Sequence, residues 1–416
     1  MNKLINDDCL VALKQIPDNS ADCIVTDPPY GYSFMGKGWD KVVVSVDIWA
    51  ECLRVLKPGA FAFIMSAPRQ DVLSHMIVNL EQAGFVTGFT SMYHCYASGF
   101  PKASNIGKMV DKKLGNKREV TGTGKAGSGM NKIKGFGVNT TKGGEATTEW
   151  DETKGNSSLE GSYGGFQPKP AVEIILVVMK PITEKTYVDQ AMNNKKGITW
   201  LDDGRIPYES DKDKNFNMKV RHNSKDNVCY SGGSIGQGDA QGKDTGRFPA
   251  NLLVSDDCLN DGKEWAGGKN NTQAMSIFGN DMKNRKQAKR DSDSGSFSRY
   301  FSLDAWFNDK IKQLSPEVQK TFPFLIVPKA AKSEKNEGLK ISNKHPTVKS
   351  VKLMSYLIAI GSRPGDVILD PFAGSGTAGV SATAQGREYI LIEREKEYFE
   401  ILKARTAESE KQGRLF

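Results

Sequence analysis

Asp27, Pro28, Pro29 and Tyr30 follow directly on the apolar run Cys23-Ile24-Val25-Thr26. The tetrapeptide sets a carboxylate, two rigid carbonyl carriers and an aromatic ring side by side. The carboxylate and a proline carbonyl are hydrogen-bond acceptors with no competing backbone N–H, and the ring is a flat face for stacking. The carboxyl end of a strand is also where open α/β sheets take their ligands.

A second group of residues lies far down the chain. The run Val367-Ile368-Leu369-Asp370-Pro371-Phe372-Ala373-Gly374-Ser375-Gly376-Thr377 reads as a buried strand, a glycine-rich turn and a helix start. Glycines let the backbone approach a ligand closely, and the helix amino end that follows favours an anionic group. Gly374, Gly376 and Gly379 spell the dinucleotide fingerprint. The next strand, Tyr389-Ile390-Leu391-Ile392, ends in Glu393, close to the spacing of roughly 20 residues at which an acid grips ribose hydroxyls. A nucleoside cofactor is expected. A dinucleotide enzyme needs several more βα units after its ribose acid, whereas 23 residues follow Glu393. The sheet is therefore expected to be completed from the other end, so that the catalytic half comes first and the nucleotide half last, as in a circular permutation.

The elements that must position these groups alternate as in a parallel α/β fold. Lys3-Leu4-Ile5 predicts a short strand with Asp7-Asp8 as its polar exit, followed by a helix over Leu10 to Ile16 and the strand ending at Asp27. Beyond it come a helix over Val46 to Leu56, a strand over Phe61 to Met65, a helix over Val72 to Ala83 ended by Gly84, and a strand near Tyr93 to Tyr96. The run Val172 to Met179 predicts a strand antiparallel to the last of these. Residues 105–165 lose the apolar rhythm and become rich in Gly, Lys, Thr and Asn, which reads as a long mobile loop. Residues 183–318 form a second polar stretch, which includes Lys283, Arg285, Lys286, Lys289 and Arg290. By charge pattern alone such a run is more often a solvated face than a nucleic-acid contact. A helix over Val348 to Ile360, apolar at Val351, Met354, Leu357 and Ile358, is expected to pack one face on the sheet.

Composition is consistent with this plan. The 416 residues exceed an ordinary single domain, and the net charge of +8 suits a polyanionic partner. The six cysteines, at 9, 23, 52, 95, 229 and 258, have no paired metal spacing and read as reduced thiols, so no metal is expected. No apolar stretch approaches about 18 residues and no charged-then-apolar leader opens the chain, which predicts a cytoplasmic protein.

The two motifs, in this order, resemble the β-class amino-methyltransferases of DNA, which use S-adenosyl-L-methionine. Residues Gly31 to Asp40, Ser98 to Lys102, Gly246 to Leu252 and His345 to Lys349 resemble segments of the phage and mobile-element branch of that family. Ser350 stands where the family usually has proline. The resemblance implies a Rossmann-like, circularly permuted methyltransferase sheet with an inserted target recognition region. Residues 1–182 would be the catalytic half, 183–318 the target recognition insertion and 319–416 the cofactor half. It further implies that Asp27, Pro28, Pro29 and Tyr30 act on a base rotated out of double-stranded DNA. An aspartate at the head of the motif resembles the adenine-specific members, with the cytosine amine as the alternative. A regulator that binds cofactor and DNA without turnover is the competing reading of another class.

For the cofactor, the resemblance assigns Phe372 and the Gly374, Ser375 and Gly376 backbone to the methionine and ribose portions, and Glu393 to the ribose hydroxyls. Asp8 is assigned to the adenine amine with Cys9 beside it, and Thr347 and Lys349 to the methionine carboxylate. Asp370, Pro371 and Thr377 complete the set. It also turns the basic residues between Lys283 and Arg290 into expected DNA contacts, and allows a homodimer and a cognate restriction nuclease as further partners.

Overall fold

The structure is a computed structural model that describes residues 2–31, 42–96, 103–125, 149–166, 168, 171–211, 213–214, 245–260, 296–313 and 348–412. The elements in chain order are β1 (Lys3–Ile5), α1 (Cys9–Lys14), β2 (Cys23–Thr26), α2 (Val46–Val55), β3 (Phe61–Ser66), α3 (Gln70–Gln82) and β4 (Met92–Cys95). Then come α4 (Ile106–Leu114), β5 (Glu119–Lys125), β6 (Glu149–Lys154), β7 (Val172–Met179), α5 (Tyr187–Asn194), β8 (Leu252–Val254) and α6 (Leu303–Lys312). The last are α7 (Val351–Gly361), β9 (Val367–Asp370), α8 (Thr377–Ala384), β10 (Glu388–Ile392) and α9 (Lys396–Gln412). Two compact units result, Met1–Ser98 with Ala171–Phe416, and Gly99–Pro170.

The larger unit is built on an eight-stranded sheet in the order β1-β10-β9-β2-β3-β7-β4-β8. The pairs from β1 through β3 are parallel, β7 runs antiparallel to both β3 and β4, and β8 is parallel to β4. β1 therefore sits beside β10, so the first and last of the described strands are sheet neighbours. Strands β2 and β3 are buried on both faces, which is why they read as continuous apolar runs. Cys23, Val25, Phe61, Phe63 and Met65 enter the core layer that contains Tyr356 and Leu357 of α7. Ile24, Ala62 and Ile64 enter the opposite layer with Leu13 of α1, Trp49 and Cys52 of α2 and Leu80 of α3.

Two elements differ from the sequence expectation. Helix α7 starts at Val351 and is buried all round rather than along one stripe. Its second face is covered by α6, where the Trp306 and Tyr356 rings lie 5.0 Å apart, and Gln385 at the end of α8 donates to the Ser355 carbonyl at 3.1 Å. Ser350 is its N-cap at φ −69°, a value proline also adopts, so the departure from the family pattern needs no change in backbone.

The second difference is the expected loop over 105–165, whose described parts carry regular structure. Asn105 caps α4 by accepting from Lys108 N, Gly115 ends it in the left-handed conformation, and β5 pairs antiparallel with β6. Arg118 gathers the unit: its guanidinium bonds the buried Asp111, Glu160 at 2.7 Å and the Thr153 carbonyl at 2.9 Å. Caps and one ion cluster order this segment without an apolar period.

Candidate cofactor and amine site

The two motifs meet at the centre of the sheet. β9 pairs with β2 in the register Cys23↔Ile368 and Ile24↔Leu369. From β9 the chain proceeds outward through β10, and from β2 it proceeds the other way to β3, so the gap between them is the topological switch point at which such sheets bind ligands. At their carboxyl ends the Thr26 hydroxyl donates to Asp370 Oδ1 at 2.6 Å, and the Phe372 amide donates to the same oxygen at 3.1 Å. Burial pushes the Asp370 carboxyl up to about 7. The Thr26 and Phe372 donors oppose that rise, and the charges of Asp27 and Glu393 add to it.

The glycine turn is shaped for close approach. Gly374 and Gly376 adopt φ of 53° and 81°, where a side chain is strained. A Cβ on Gly376 would stand 3.0 Å from Leu402 Cγ, and one on Gly379 would stand 2.5 Å from Leu391 Cδ1 and 2.9 Å from Thr406 Cγ2, so the third glycine seats α8 against both β10 and α9. The Gly374 amide donates to Glu393 Oε2 at 2.9 Å and the Glu395 amide to Oε1 at 2.8 Å. Burial raises the Glu393 carboxyl, and those two amides pull it back.

Asp8 lies on the same strand-end edge, because the Glu393 amide donates to the Ile5 carbonyl at 3.0 Å. Its side chain caps α1 by accepting from Leu10 N at 3.0 Å. Cys9 is the first residue of α1, and burial, with Asp8 beside it, pushes its thiol up to about 12. The Phe372 ring meets Trp49 edge to face at 6.1 Å. Pro371 connects Asp370 to this ring, while Ser375 and Thr377 face an unexpected partner. Arg405 of α9, 4% exposed, donates from Nη1 to Ser375 O at 2.8 Å, Ser375 Oγ at 3.1 Å and Thr377 Oγ1 at 3.2 Å.

At the tetrapeptide, the Tyr30 hydroxyl donates to Asp27 Oδ1. Lys349 was expected at a cofactor carboxylate, but its ammonium is engaged by two carboxylates of the protein. Nζ stands 3.3 Å from Asp27 Oδ1, forms the tighter bond to Glu173, and lies 3.5 Å from the Tyr30 hydroxyl. Burial raises Asp27, Lys349 pulls it back, and Glu173 adds to the rise. Burial also acts against ionising Glu173, yet Lys349 and His94 outweigh it and bring that carboxyl down to about 2. Burial likewise opposes the Lys349 charge, and the same two carboxylates more than compensate, holding it above the ordinary lysine range.

Glu173, Thr26 and Arg405 did not emerge from the sequence. The one available signal was Glu173 itself, a lone acid in the apolar run Val172–Met179. Thr347 and the basic residues Lys283, Arg285, Lys286, Lys289 and Arg290 lie outside the described residues, as do Trp39 and Asp40.

The family model described as DNA methylase, of N6 and N4 type, matches residues 21–404. The chain belongs to this DNA methylase family. Among its curated relatives, the type II methyltransferase M2.MboI of Moraxella bovis is 36% identical over 108 residues, 26% of this chain and 37% of that protein. The type II methyltransferase M2.DpnII of Streptococcus pneumoniae is 49% identical over 66 residues, 16% of this chain and 25% of that protein. The similarity thus spans well under half the length of either relative. Among solved structures, the cytosine-N4-specific PvuII DNA methyltransferase aligns at TM-score 0.40 and 13% identity, over 97% of this chain and 86% of that one. The complex of M1.HpyAVI with SAM aligns at TM-score 0.36 and 16% identity, over 97% and 100% of the two chains. Among the described residues of this DNA methylase family member, no helix is long and apolar enough to cross a membrane.

Proposed function

We propose that the protein is a site-specific DNA methyltransferase that transfers a methyl group from S-adenosyl-L-methionine to the N6 amine of adenine. The observation that carries this reading is the junction of the two motifs: an aspartate-headed tetrapeptide on β2, tied by Thr26 to the glycine turn on β9. The residues of the turn fit a nucleoside sulfonium. Each Glu393 oxygen takes one backbone N–H and keeps lone-pair capacity for a ribose hydroxyl, and the turn has no Cβ at its left-handed positions. Phe372 gives an apolar wall, and Asp8 stands on the same strand-end edge, three residues after the Ile5 carbonyl that accepts from the Glu393 amide. The bound cofactor supplies a methyl group on a sulfonium, a leaving group good enough that the protein needs no covalent nucleophile.

What the chain must supply is a reactive amine. The lone pair of an exocyclic amine is delocalised into its ring, and two acceptors on the amine hydrogens draw it back onto nitrogen. The hydrogen bond from Tyr30 and the near approach of Lys349 are both to Asp27 Oδ1, which leaves Oδ2 for one hydrogen; the Pro28 carbonyl takes the other. Tyr30 offers its ring to a base extruded from the duplex, since the amine is out of reach inside it. Asp27 is also the nearest acceptor for the proton that nitrogen must lose. The rest is alignment.

The aspartate at position 27 favours adenine over cytosine by its resemblance to adenine-specific members. The permuted order of halves, the phage-type affiliation and the target recognition role of residues 183–318 belong to the same reading, with the basic residues from Lys283 to Arg290 as phosphate contacts. Asp27→Ala tests the chemistry. It should lower methyl transfer by about a thousandfold or more, the scale for removing a charged group from a dry reaction site, while leaving DNA binding in place. Transfer at the wild-type rate by Asp27→Ala would return the protein to a regulator that binds without turnover.

A further inference from the structure

Glu173 is the residue at this site that no motif accounts for. It lies on β7 directly across the ladder from His94 of β4, and its side chain reaches the ammonium of Lys349, just before α7. A carboxylate inside an apolar strand is costly unless it is paired, so its presence calls for a task. The surrounding groups form a continuous line. Asp27 and Tyr30 come from the end of β2, Lys349 from the segment leading into α7, Glu173 from β7 and His94 from β4. His94 Nδ1 stands 4.0 Å from Glu173 Oε2, and its Nε2 lies 2.9 Å from the hydroxyl of Ser255, which follows β8. Among the described residues, Asp370 and Tyr96 also feel these charges.

The division of the ammonium between the two carboxylates is unequal. Lys349 is bonded to Glu173 and stands 3.3 Å from Asp27. Two acids and one cation at partly buried positions make a balance in which the loss of one acid hands the cation wholly to the other. If Glu173 were neutral, the nearest anion for Lys349 would be Asp27, the carboxylate that has to receive the amine. A closed Lys349–Asp27 pair at Oδ1 would draw negative charge away from the carboxylate whose Oδ2 has to hold the amine, and fix the Tyr30 hydroxyl with it.

We propose that Glu173 is a positioning residue for methyl transfer: by taking the tighter share of the Lys349 ammonium it keeps that cation beside Asp27 without letting it close onto the acceptor of the target amine. Lys349 is accordingly an electrostatic partner of the tetrapeptide, and Glu173 acts through it. This inference rests on the methyl-transfer reading. The sign of its pH signature follows from the charges. Asp27 must be ionised to accept, so activity falls as pH drops through its pKa. Glu173 raises that pKa and Lys349 lowers it, so Glu173→Gln moves the acid limb of kcat to lower pH and Lys349→Met moves it to higher pH.

The test is steady-state methyl transfer to duplex DNA across pH by wild type, Glu173→Gln, Lys349→Met and the double variant, with melting curves and calorimetric binding of S-adenosyl-L-methionine for each. Glu173→Gln should lower the plateau kcat by about 10- to 100-fold, the range for partners that orient a reacting group, with cofactor affinity unchanged and the acid limb displaced downward. In the Lys349→Met background, Glu173→Gln should cause no further loss, because the residue it acts through is gone. Wild-type kcat and an unmoved acid limb in Glu173→Gln, or an equal further loss in the Lys349→Met background, would overturn the proposal. Should Glu173→Gln alone melt below the assay temperature, the comparison of Lys349→Met with the double variant decides by itself. An inactive wild type would instead sink the methyl-transfer reading, so the two failures are distinct.

Discussion

Arg405→Met is expected to loosen the glycine turn from behind. The guanidinium reaches three oxygens of Ser375 and Thr377 from a single nitrogen, at 2.8, 3.1 and 3.2 Å. That nitrogen carries two hydrogens, so at most two of the three contacts are full bonds at one time. A hydrogen bond to a charged group contributes roughly 1.5–3 kcal/mol, and releasing a buried cation from its desolvation cost offsets part of the loss, which leaves a net destabilisation of about 2–4 kcal/mol. Methionine fills the volume of the alkyl stem, so the effect isolates the guanidinium. Because the freed carbonyl and hydroxyls belong to the turn that enters α8, cofactor affinity should fall with stability, by about tenfold for each 1.4 kcal/mol that reaches the binding site. Thermal melting and calorimetric titration with S-adenosyl-L-methionine read the two effects. A variant that melts and binds as wild type would refute the assignment of Arg405 as the brace of the turn.

Glu393→Ala should weaken S-adenosyl-L-methionine binding in calorimetry performed without DNA, and tight binding of a nicotinamide dinucleotide by the wild type would defeat the cofactor assignment. Asp370→Asn addresses pH: a carboxyl raised to about 7 in the folded state, against an ordinary value of 3.8, binds more protons folded than unfolded. The contribution of Asp370 to stability is therefore fully present below about pH 4 and is lost as pH rises through about 7, and the asparagine variant should lack that part of the pH dependence in denaturant titrations. Replacing Lys283, Arg285, Lys286, Lys289 and Arg290 by glutamine should weaken binding to all DNA sequences and flatten its salt dependence; an unchanged slope means that the stretch is a solvated face.

The parts of the site carried by buried strands were legible in the sequence, because β2 and β9 are enclosed on both faces and end abruptly in polar, glycine- and proline-bearing turns. The spacing from the glycines to Glu393 follows from one helix and one strand, a local matter. The antiparallel partner of the strand near Tyr93 was legible for the same reason. The partners of Lys349 were not, since they are set by how the chain returns from a distant segment to β2 and β7, and a single lysine carries no periodic signal of what it will meet. Glu173 looked like one polar residue in a hydrophobic strand until its neighbours across the sheet were known. Unit Gly99–Pro170 escaped because Arg118, Asp111 and Glu160 order it through charge rather than through an apolar rhythm. For Asp8, the cap of α1 and a place beside a nucleobase call for the same residue type, so sequence alone could not separate them.

Methyl transfer to adenine at Asp27 is the function proposed for this site. The most direct measurement incubates the purified protein with methyl-labelled S-adenosyl-L-methionine and mixed-sequence duplex DNA, digests the DNA to nucleosides and identifies the labelled base. Wild type should place label on N6-methyladenine, and Asp27→Ala should lose about a thousandfold or more of it. Label on N4-methylcytosine would contradict the adenine assignment, and DNA that takes up no label would contradict the enzyme.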